Sequence, residues 1–410
     1  MAVSRRGFIG TAAGLATVAP SFTGQAAASL APPPALPDRT TFQIDHVYLN
    51  AAYVHPMGEM VYRAMQGFQQ KRVREVDTPW PLDNPRDAAV GLFAQLINAD
   101  PKDIAIVPST MEGENLVVQA LGLGLDTGVV TDAYHYSPEI YGEQHRRGVP
   151  VAVAMPRDNR IALVDIDRLM DRKTRLVAVS AVASDTGFRH DLKTLCAAAH
   201  RKGAMVYADI IQAAGALPID VKDSGVDFAC CGAYKWLMGD FGVAFLYVRP
   251  DRLKDLRRVF AGWRQYQRYA SHLFPFDPPG AQGVEYTLRD DAVGLFEVST
   301  PNWAALSGLV ASLSYIQAVG VDRIVRHRAP MMERLQVELP KLGFIPLTPA
   351  DSDTPAIAFA FEGAAARLGP ALKAARVSIQ TSRNRIRISP SVYNDMAEID
   401  TLMRVLRTAV

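Results

Sequence analysis

Three polar residues, Asp209, Gln212 and Lys235, follow the ends of apolar runs in residues 204–248, AMVYADIIQAAGALPIDVKDSGVDFACCGAYKWLMGDFGVAFLYV. Ala204 to Asp209 reads as a buried strand whose acid emerges at the carboxyl edge of a sheet, where open α/β sheets bind ligands. Lys235 follows a second such run, Phe228 to Cys231, and has Tyr234 and Trp236 on either side. In an aromatic, partly dry setting a lysine can lose its proton and attack a carbonyl as a neutral amine. A buried carboxylate opposite a pyridine nitrogen keeps that nitrogen protonated and makes the ring an electron sink. An acid and a lysine Schiff base are together what a protein contributes to pyridoxal phosphate chemistry. Each residue alone has a plainer reading, Asp209 as a turn or cap residue and Lys235 as a solvated charge. The ordered combination is what points to chemistry.

Such residues need a sheet behind them. Ile104 to Pro108, Gly128 to Thr131 and Val149 to Met155 read as strands, and the near-continuous apolar run Leu176 to Val182 as a strand buried on both faces. The expected helix Leu192 to Lys202 crosses back to Ala204 and completes a right-handed βαβ unit. Ser109-Thr-Met-Glu112 has the form of a capping box opening a helix to Leu121, and a helix N-terminus offers free amides to a phosphate. Gly122-Leu-Gly124 follows a helix rather than a strand, so it reads as a C-cap and not as a dinucleotide loop. Residues 260–289 are long, irregular in pattern and aromatic, and are expected to be a loop that shapes the substrate site. Beyond them, helices at Trp303 to Val319 and Val325 to Leu339 precede an alternating strand, Arg385 to Ser389, with Arg385 and Arg387 on one face.

Asp209-Ile-Ile-Gln212, Tyr234-Lys235-Trp236 and the R-x-S-x-x-x-Y-N pattern of Arg387, Ser389, Tyr393 and Asn394 resemble the class V aminotransferase family of fold-type I pyridoxal phosphate enzymes. That family includes cysteine desulfurases, selenocysteine lyases, isopenicillin N epimerase-like proteins and kynureninase. The resemblance implies an α/β fold: a large domain, residues 42–300, with a mainly parallel central sheet flanked by helices, and a smaller C-terminal α+β domain, residues 301–410. It implies Lys235 and Asp209 as the catalytic pair, with pyridoxal 5'-phosphate as cofactor and no metal. The cofactor phosphate maps onto Thr110 and the backbone of Met111, where a second hydroxyl is more usual. Tyr134 takes the position that stacks on the cofactor ring, with His135 beside it. Ser184 and Gln212 share the contact to the ring hydroxyl, and Tyr234 takes over a phosphate contact because Gly232 stands where a Ser or Thr is common. Thr300, in Ser299-Thr-Pro-Asn302, corresponds to a residue that reaches the phosphate in a partner subunit, implying a homodimer with a shared site. Arg387 corresponds to the residue that takes the substrate carboxylate.

One absence narrows the reaction. Desulfurases of this family carry a nucleophilic cysteine shortly before that arginine, and residues 371–385 contain none. Persulfide formation is therefore not expected. An aminotransferase-like or isopenicillin N epimerase-like activity on an amino acid is expected instead, with a C–S or β-lyase as the alternative. A catalytically silent binding protein of the same fold is the reading from another class, and an intact Asp209, Lys235 and Arg387 argues against it.

With 410 residues, 49% of them hydrophobic, the chain can bury large cores. A net charge of +2 from 44 basic and 42 acidic residues gives no sign of a nucleic-acid partner. Cys196, Cys230 and Cys231 cannot build a disulfide framework. At the N-terminus, Ser4-Arg5-Arg6-Gly7-Phe8-Ile9, a modestly apolar run and Ala26-Ala27-Ala28 resemble a twin-arginine export signal over residues 1–28, followed by a proline-rich linker at 29–41. The expected location is periplasmic, without a stable membrane anchor, because that run is short and rich in Gly, Ala and Thr.

Overall fold

The apolar runs expected between Ile104 and Val182 all join one sheet, with Val151–Ala154 at its partly exposed edge. The computed structural model describes residues 33–75 and 84–410. The export segment 1–28 and the start of the linker lie outside the described residues, as do residues 76–83.

In chain order the strands are β1 (Val47–Tyr48), β2 (Ile104–Val107), β3 (Gly128–Asp132), β4 (Val151–Ala154), β5 (Thr174–Ser180), β6 (Met205–Asp209), β7 (Phe228–Gly232) and β8 (Ala244–Val248), then β9 (Tyr266–Ser271), β10 (Val284–Leu288), β11 (Ile345–Pro346), β12 (Ile357–Ala360), β13 (Val377–Ser378), β14 (Gln380–Ser382) and β15 (Arg385–Ile388). A seven-stranded sheet runs in the order β2-β8-β7-β6-β5-β3-β4. Only β8 runs antiparallel to its neighbours; the other strands share one direction. Alternate side chains enter separate hydrophobic clusters on the two faces: on β6, Val206 and Ala208 go to one, Met205 and Tyr207 to the other. A strand covered on both sides must be apolar throughout, which is why no polar alternation marks it.

Helices close both faces. Leu192–Arg201 is capped by Asp191, whose side chain accepts the Thr194 amide, and buries Leu195, Cys196, Ala198 and Ala199 against the sheet. Among the described residues no single helix is long and apolar enough to cross a membrane.

A second hydrophobic core joins Leu49 to side chains from Met331 to Leu406, built over the antiparallel sheet β11-β12-β15-β14 and the helices Ala364–Ala374 and Met396–Ala409. Its start differs from the division expected at residue 300. Helix Trp303–Val319 packs on helices Glu59–Arg74 and Pro85–Ile97, and its buried residues belong to the larger core, because it is apolar nearly all round. The segment before Tyr53 is fastened to the smaller lobe. There β1 pairs with β13, and Ser389 and Asn394 hold Leu49, Ala52 and Tyr48 by hydrogen bonds to the main chain.

Residues 260–289 are only partly irregular, with 272–283 forming a long connection without regular structure. They form a short 3-10 turn, Trp263–Gln265, and an antiparallel hairpin of β9 and β10. Tyr266 stacks across the hairpin on Tyr286 at 4.9 Å, and cross-strand aromatic pairs of this kind stabilise a ladder that lacks a large core.

Candidate active site

At the carboxyl end of the parallel strands the backbone leaves the sheet, and there the polar residues gather. Register places Ser180, the last residue of β5, opposite Asp209, the last of β6. Lys235 lies in the turn between β7 and β8. Beside it is a cavity of about 510 Å³. Its lining combines Ser109 from the start of helix Thr110–Leu121, Tyr136 and Ser184 from loops after β3 and β5, Tyr234 and Lys235, and Arg385 and Arg387 from the smaller lobe.

Lys235 is 5% exposed, and its Nζ lies 5.4 Å from the Tyr136 ring centroid and 5.8 Å from that of Tyr234. Burial pulls its pKa down from 10.5 to about 8, against the pull of Asp209 and with the help of Arg387. An appreciable fraction of the amine is therefore neutral near physiological pH. Asp209 is 2% exposed; burial raises its pKa from 3.8 to about 6, although its Oδ1 accepts the Ile211 amide at 2.9 Å and both Lys235 and His135 favour its charge.

Arg387 is nearly buried, and its Nη1 donates to the Ser184 carbonyl at 2.7 Å and to Ser184 Oγ at 3.0 Å. Its Nε is buried with no acceptor among the described residues. Desolvation lowers its pKa. Arg385 also faces this cavity but is paired with Asp185 at 3.0 Å. Gln212 connects the parts: its Nε2 donates to Ala52 O and Ser184 Oγ, and its Oε1 accepts from Trp236 Nε1 at 2.9 Å.

Helix Thr110–Leu121 begins at this edge. The Ser109 side chain caps the Glu112 amide, while the amides of Thr110 and Met111, in the first turn, have no carbonyl within the helix to bond. Thr110 Oγ1 accepts the Gly232 amide at 2.8 Å, leaving its hydroxyl proton for another acceptor. A side chain at Gly232 would meet the end of the Ile211 side chain at 2.9 Å and Thr110 Oγ1 at 3.0 Å, so it would have to displace Ile211 or crowd the Thr110 hydroxyl. These residues fit pyridoxal phosphate: a low-pKa amine for the aldehyde, a buried carboxylate for the ring nitrogen, and hydroxyl and amide donors at a positive helix end for the phosphate.

Several expected residues sit elsewhere. Tyr134 is half-buried against the core, 6.1 Å from Phe188, its amide held by Asp132 Oδ1, and it does not line the cavity. His135 is buried beneath hydrogen bonds to Glu114 and Ser180. Tyr136, not singled out from the sequence, is the aromatic of this run that faces Lys235; alternation within Tyr134-His135-Tyr136 was the available signal. Met111 is exposed and offers its backbone only. Thr300 is exposed and outside the lining, and no residue of 260–289 lines the cavity within one chain. Of the R-x-S-x-x-x-Y-N residues only Arg387 reaches it; Ser389 and Asn394 fasten the entry segment, and Tyr393 packs against Phe42, His55 and Tyr48.

The family described as Aminotransferase class-V matches residues 87–402. An uncharacterised aminotransferase of Bacillus subtilis is 27% identical over 357 residues, 86% of this chain and 92% of that protein. A probable cysteine desulfurase of Methanothermobacter thermautotrophicus is 30% identical over 301 residues, 71% of this chain and 72% of that protein. Among solved structures, the apo cysteine desulfurase of Thermococcus onnurineus NA1 superposes with a TM-score of 0.79 at 22% identity, over 91% of this chain and 97% of that one. The cystine C–S lyase C-DES, in complex with its reaction product cysteine persulfide, does so at 0.78 and 21%, over 88% and 97%.

Proposed function

The chain belongs to the class V aminotransferase family, a fold-type I enzyme whose cofactor is pyridoxal phosphate, and from that premise we propose that it is an exported, aminotransferase-like or isopenicillin N epimerase-like enzyme of an α-amino acid. The observation that carries the substrate class is Arg387. It lines the same cavity as Lys235, with Nη1 anchored on Ser184 and Nε buried without an acceptor, so a carboxylate on its free edge would complete the guanidinium's hydrogen bonds.

When bound, the cofactor supplies an electron sink for the bonds at the substrate Cα. Asp209 would keep the ring nitrogen protonated, and Thr110 with the first-turn amides would hold the phosphate. Tyr136 and Tyr234 keep water from Lys235 Nζ, whose pKa of about 8 lets it take and return a proton at Cα near neutral pH. Thr300 is exposed, as a residue offered to a second copy must be, and a homodimer with a shared site is part of the proposal. Delivery to the periplasm is part of the proposal and is supported by the resemblance of the segment around Arg5-Arg6 to a twin-arginine signal.

Persulfide formation on the protein is not part of the reading. All three cysteines are buried, burial pushes the Cys196 thiol up to about 12 and those of Cys230 and Cys231 well above their usual value, and none lines the cavity. A lyase breaking a C–S bond at Cβ is the second reading. The fold shared with C-DES supports it, because such a reaction needs no thiol from the protein. Incubating the purified holoenzyme with single amino acids, with and without a 2-oxo acid as amino acceptor, while assaying keto acid, ammonia and stereochemistry separates the readings. Keto acid with the amino group retained means transamination, ammonia means elimination, and inverted Cα alone means epimerisation. Turnover of none, with no cofactor retained, refutes the enzyme reading.

A further inference from the structure

Ser180, opposite Asp209 in the sheet, anchors a buried Glu114–His135 pair that the reaction outlined above does not use. Glu114, in the second turn of helix Thr110–Leu121, is fully buried. Its Oε1 accepts from His135 Nε2 at 2.7 Å and from the Tyr141 hydroxyl at 2.6 Å, while Oε2 is buried with no partner among the described residues. His135 Nδ1 lies 3.1 Å from Ser180 Oγ, and that oxygen also accepts the Tyr136 amide at 3.1 Å. One imidazole thus links the phosphate-end helix, the end of β5 and the loop carrying Tyr136.

We propose that His135 is a positioning residue, kept doubly protonated by Glu114, that holds Asp209 ionised for the cofactor's ring nitrogen and fixes the loop bearing Tyr136.

A carboxylate buried this deeply needs a cation, and His135 is the one hydrogen-bonded to Glu114. The groups that face the imidazole are Glu114 and Tyr141 from two helices, Ser180 from β5, Tyr207 and Asp209 from β6 and Asp132 from β3. Every charged one among them is negative. Burial works to lower the His135 pKa, but the Glu114 charge and hydrogen bond, with Asp209 and Asp132 behind them, leave it raised. Two cations favour the charged form of Asp209, Lys235 and His135. Lys235 works as a neutral amine, so its charge cannot be the lasting one. With His135 protonated, the Glu114 and His135 charges cancel, and Asp209 is left to balance the protonated ring nitrogen. Neutral His135 would leave two carboxylates against one pyridinium in a dry interior.

The inference rests on the cofactor reading, and the test separates the two. Nitrogen-15 NMR of histidine-labelled wild-type protein, with and without cofactor, should show both His135 ring nitrogens protonated well above the ordinary histidine pKa of ~6.5. Glu114→Gln should leave a single ring proton at neutral pH and weaken pyridoxal phosphate binding about tenfold, the factor that accompanies a one-unit change in a pKa. It should not weaken binding of the analogue in which CH replaces the ring nitrogen, since that ring makes no demand on Asp209. His135→Gln should reproduce this selectivity and serves if Glu114→Gln fails to fold. A singly protonated His135 in the wild type at neutral pH overturns the proposal whatever the variants do. So does an equal loss for both cofactors, which would leave Glu114 and His135 as packing alone. Wild-type protein that binds no pyridoxal phosphate refutes the functional reading instead, and the imidazole measurement still decides the inference.

Discussion

Replacing Lys235 by Met should make the cofactor-free protein more stable at neutral pH while abolishing its chemistry. Methionine keeps an unbranched chain of similar length and removes the charge. The lysine pKa falls from 10.5 to about 8 on folding, chiefly through burial. At about 1.4 kcal/mol per tenfold change in proton affinity, the folded state holds this ammonium at a cost of about 3 kcal/mol. Asp209 loses a favourable neighbour in the variant, but it can take up a proton more readily, which keeps the net gain at about 2–3 kcal/mol. The sign follows from proton counting. Below pH 8 both folded and unfolded chains carry the ammonium, and the full cost applies. Between about 8 and 10.5 the folded chain has lost the proton and the unfolded chain keeps it, so wild-type stability rises with pH and the advantage of the variant shrinks. Urea unfolding of both cofactor-free proteins at pH 7 and at several values up to about 10 measures this difference; cofactor must be absent because binding stabilises only the wild type. A variant no more stable than wild type at pH 7, or an advantage independent of pH, would refute the argument that the fold holds Lys235 as a destabilised ammonium that gives up its proton near pH 8.

Arg387→Ala should weaken binding of α-amino acids by about 2–5 kcal/mol and leave the corresponding decarboxylated amines nearly unaffected, measured by spectral titration of the holoenzyme. Equal losses for both would make Arg387 structural. Asp209→Asn should lower turnover by two or more orders of magnitude, on the order of the 10²–10⁴ a positioned proton-holding group contributes. In cofactor-free protein it should also remove a pH effect. The Asp209 pKa is raised from 3.8 to about 6, so its contribution to stability is present below about 4 and is lost as pH rises through about 6; unfolding midpoints across that window should fall in the wild type relative to the variant. Changing Arg5 and Arg6 together to Lys should keep the protein in the cytoplasm of fractionated cells, and a processed, cofactor-loaded double variant in the periplasm would rule out the twin-arginine route.

What the sequence by itself determined was local. Continuous apolar runs marked the parallel strands, Ser109 and Glu112 marked a helix start, and Asp209, Gln212, Lys235 and Arg387 stood in patterns that name a family. These signals survive because each depends on neighbours a few residues away or on chemistry that permits few substitutes. Residues 266–288 carried a local signal too, aromatic residues in two facing runs, but the length of the stretch hid the hairpin within it. Only the tertiary structure decided which side chains share the cavity. The choice of Tyr136 over Tyr134 turns on how one short loop leaves β3, with Asp132 holding one amide and Ser180, on β5, the other. Glu114 looks like any helical glutamate until the sheet packs His135 and Tyr141 against it. The low pKa of Lys235 and the raised one of Asp209 both come first from desolvation, a property of everything folded around a group. Burial sums over distant parts of the chain, and no stretch of residues carries that sum.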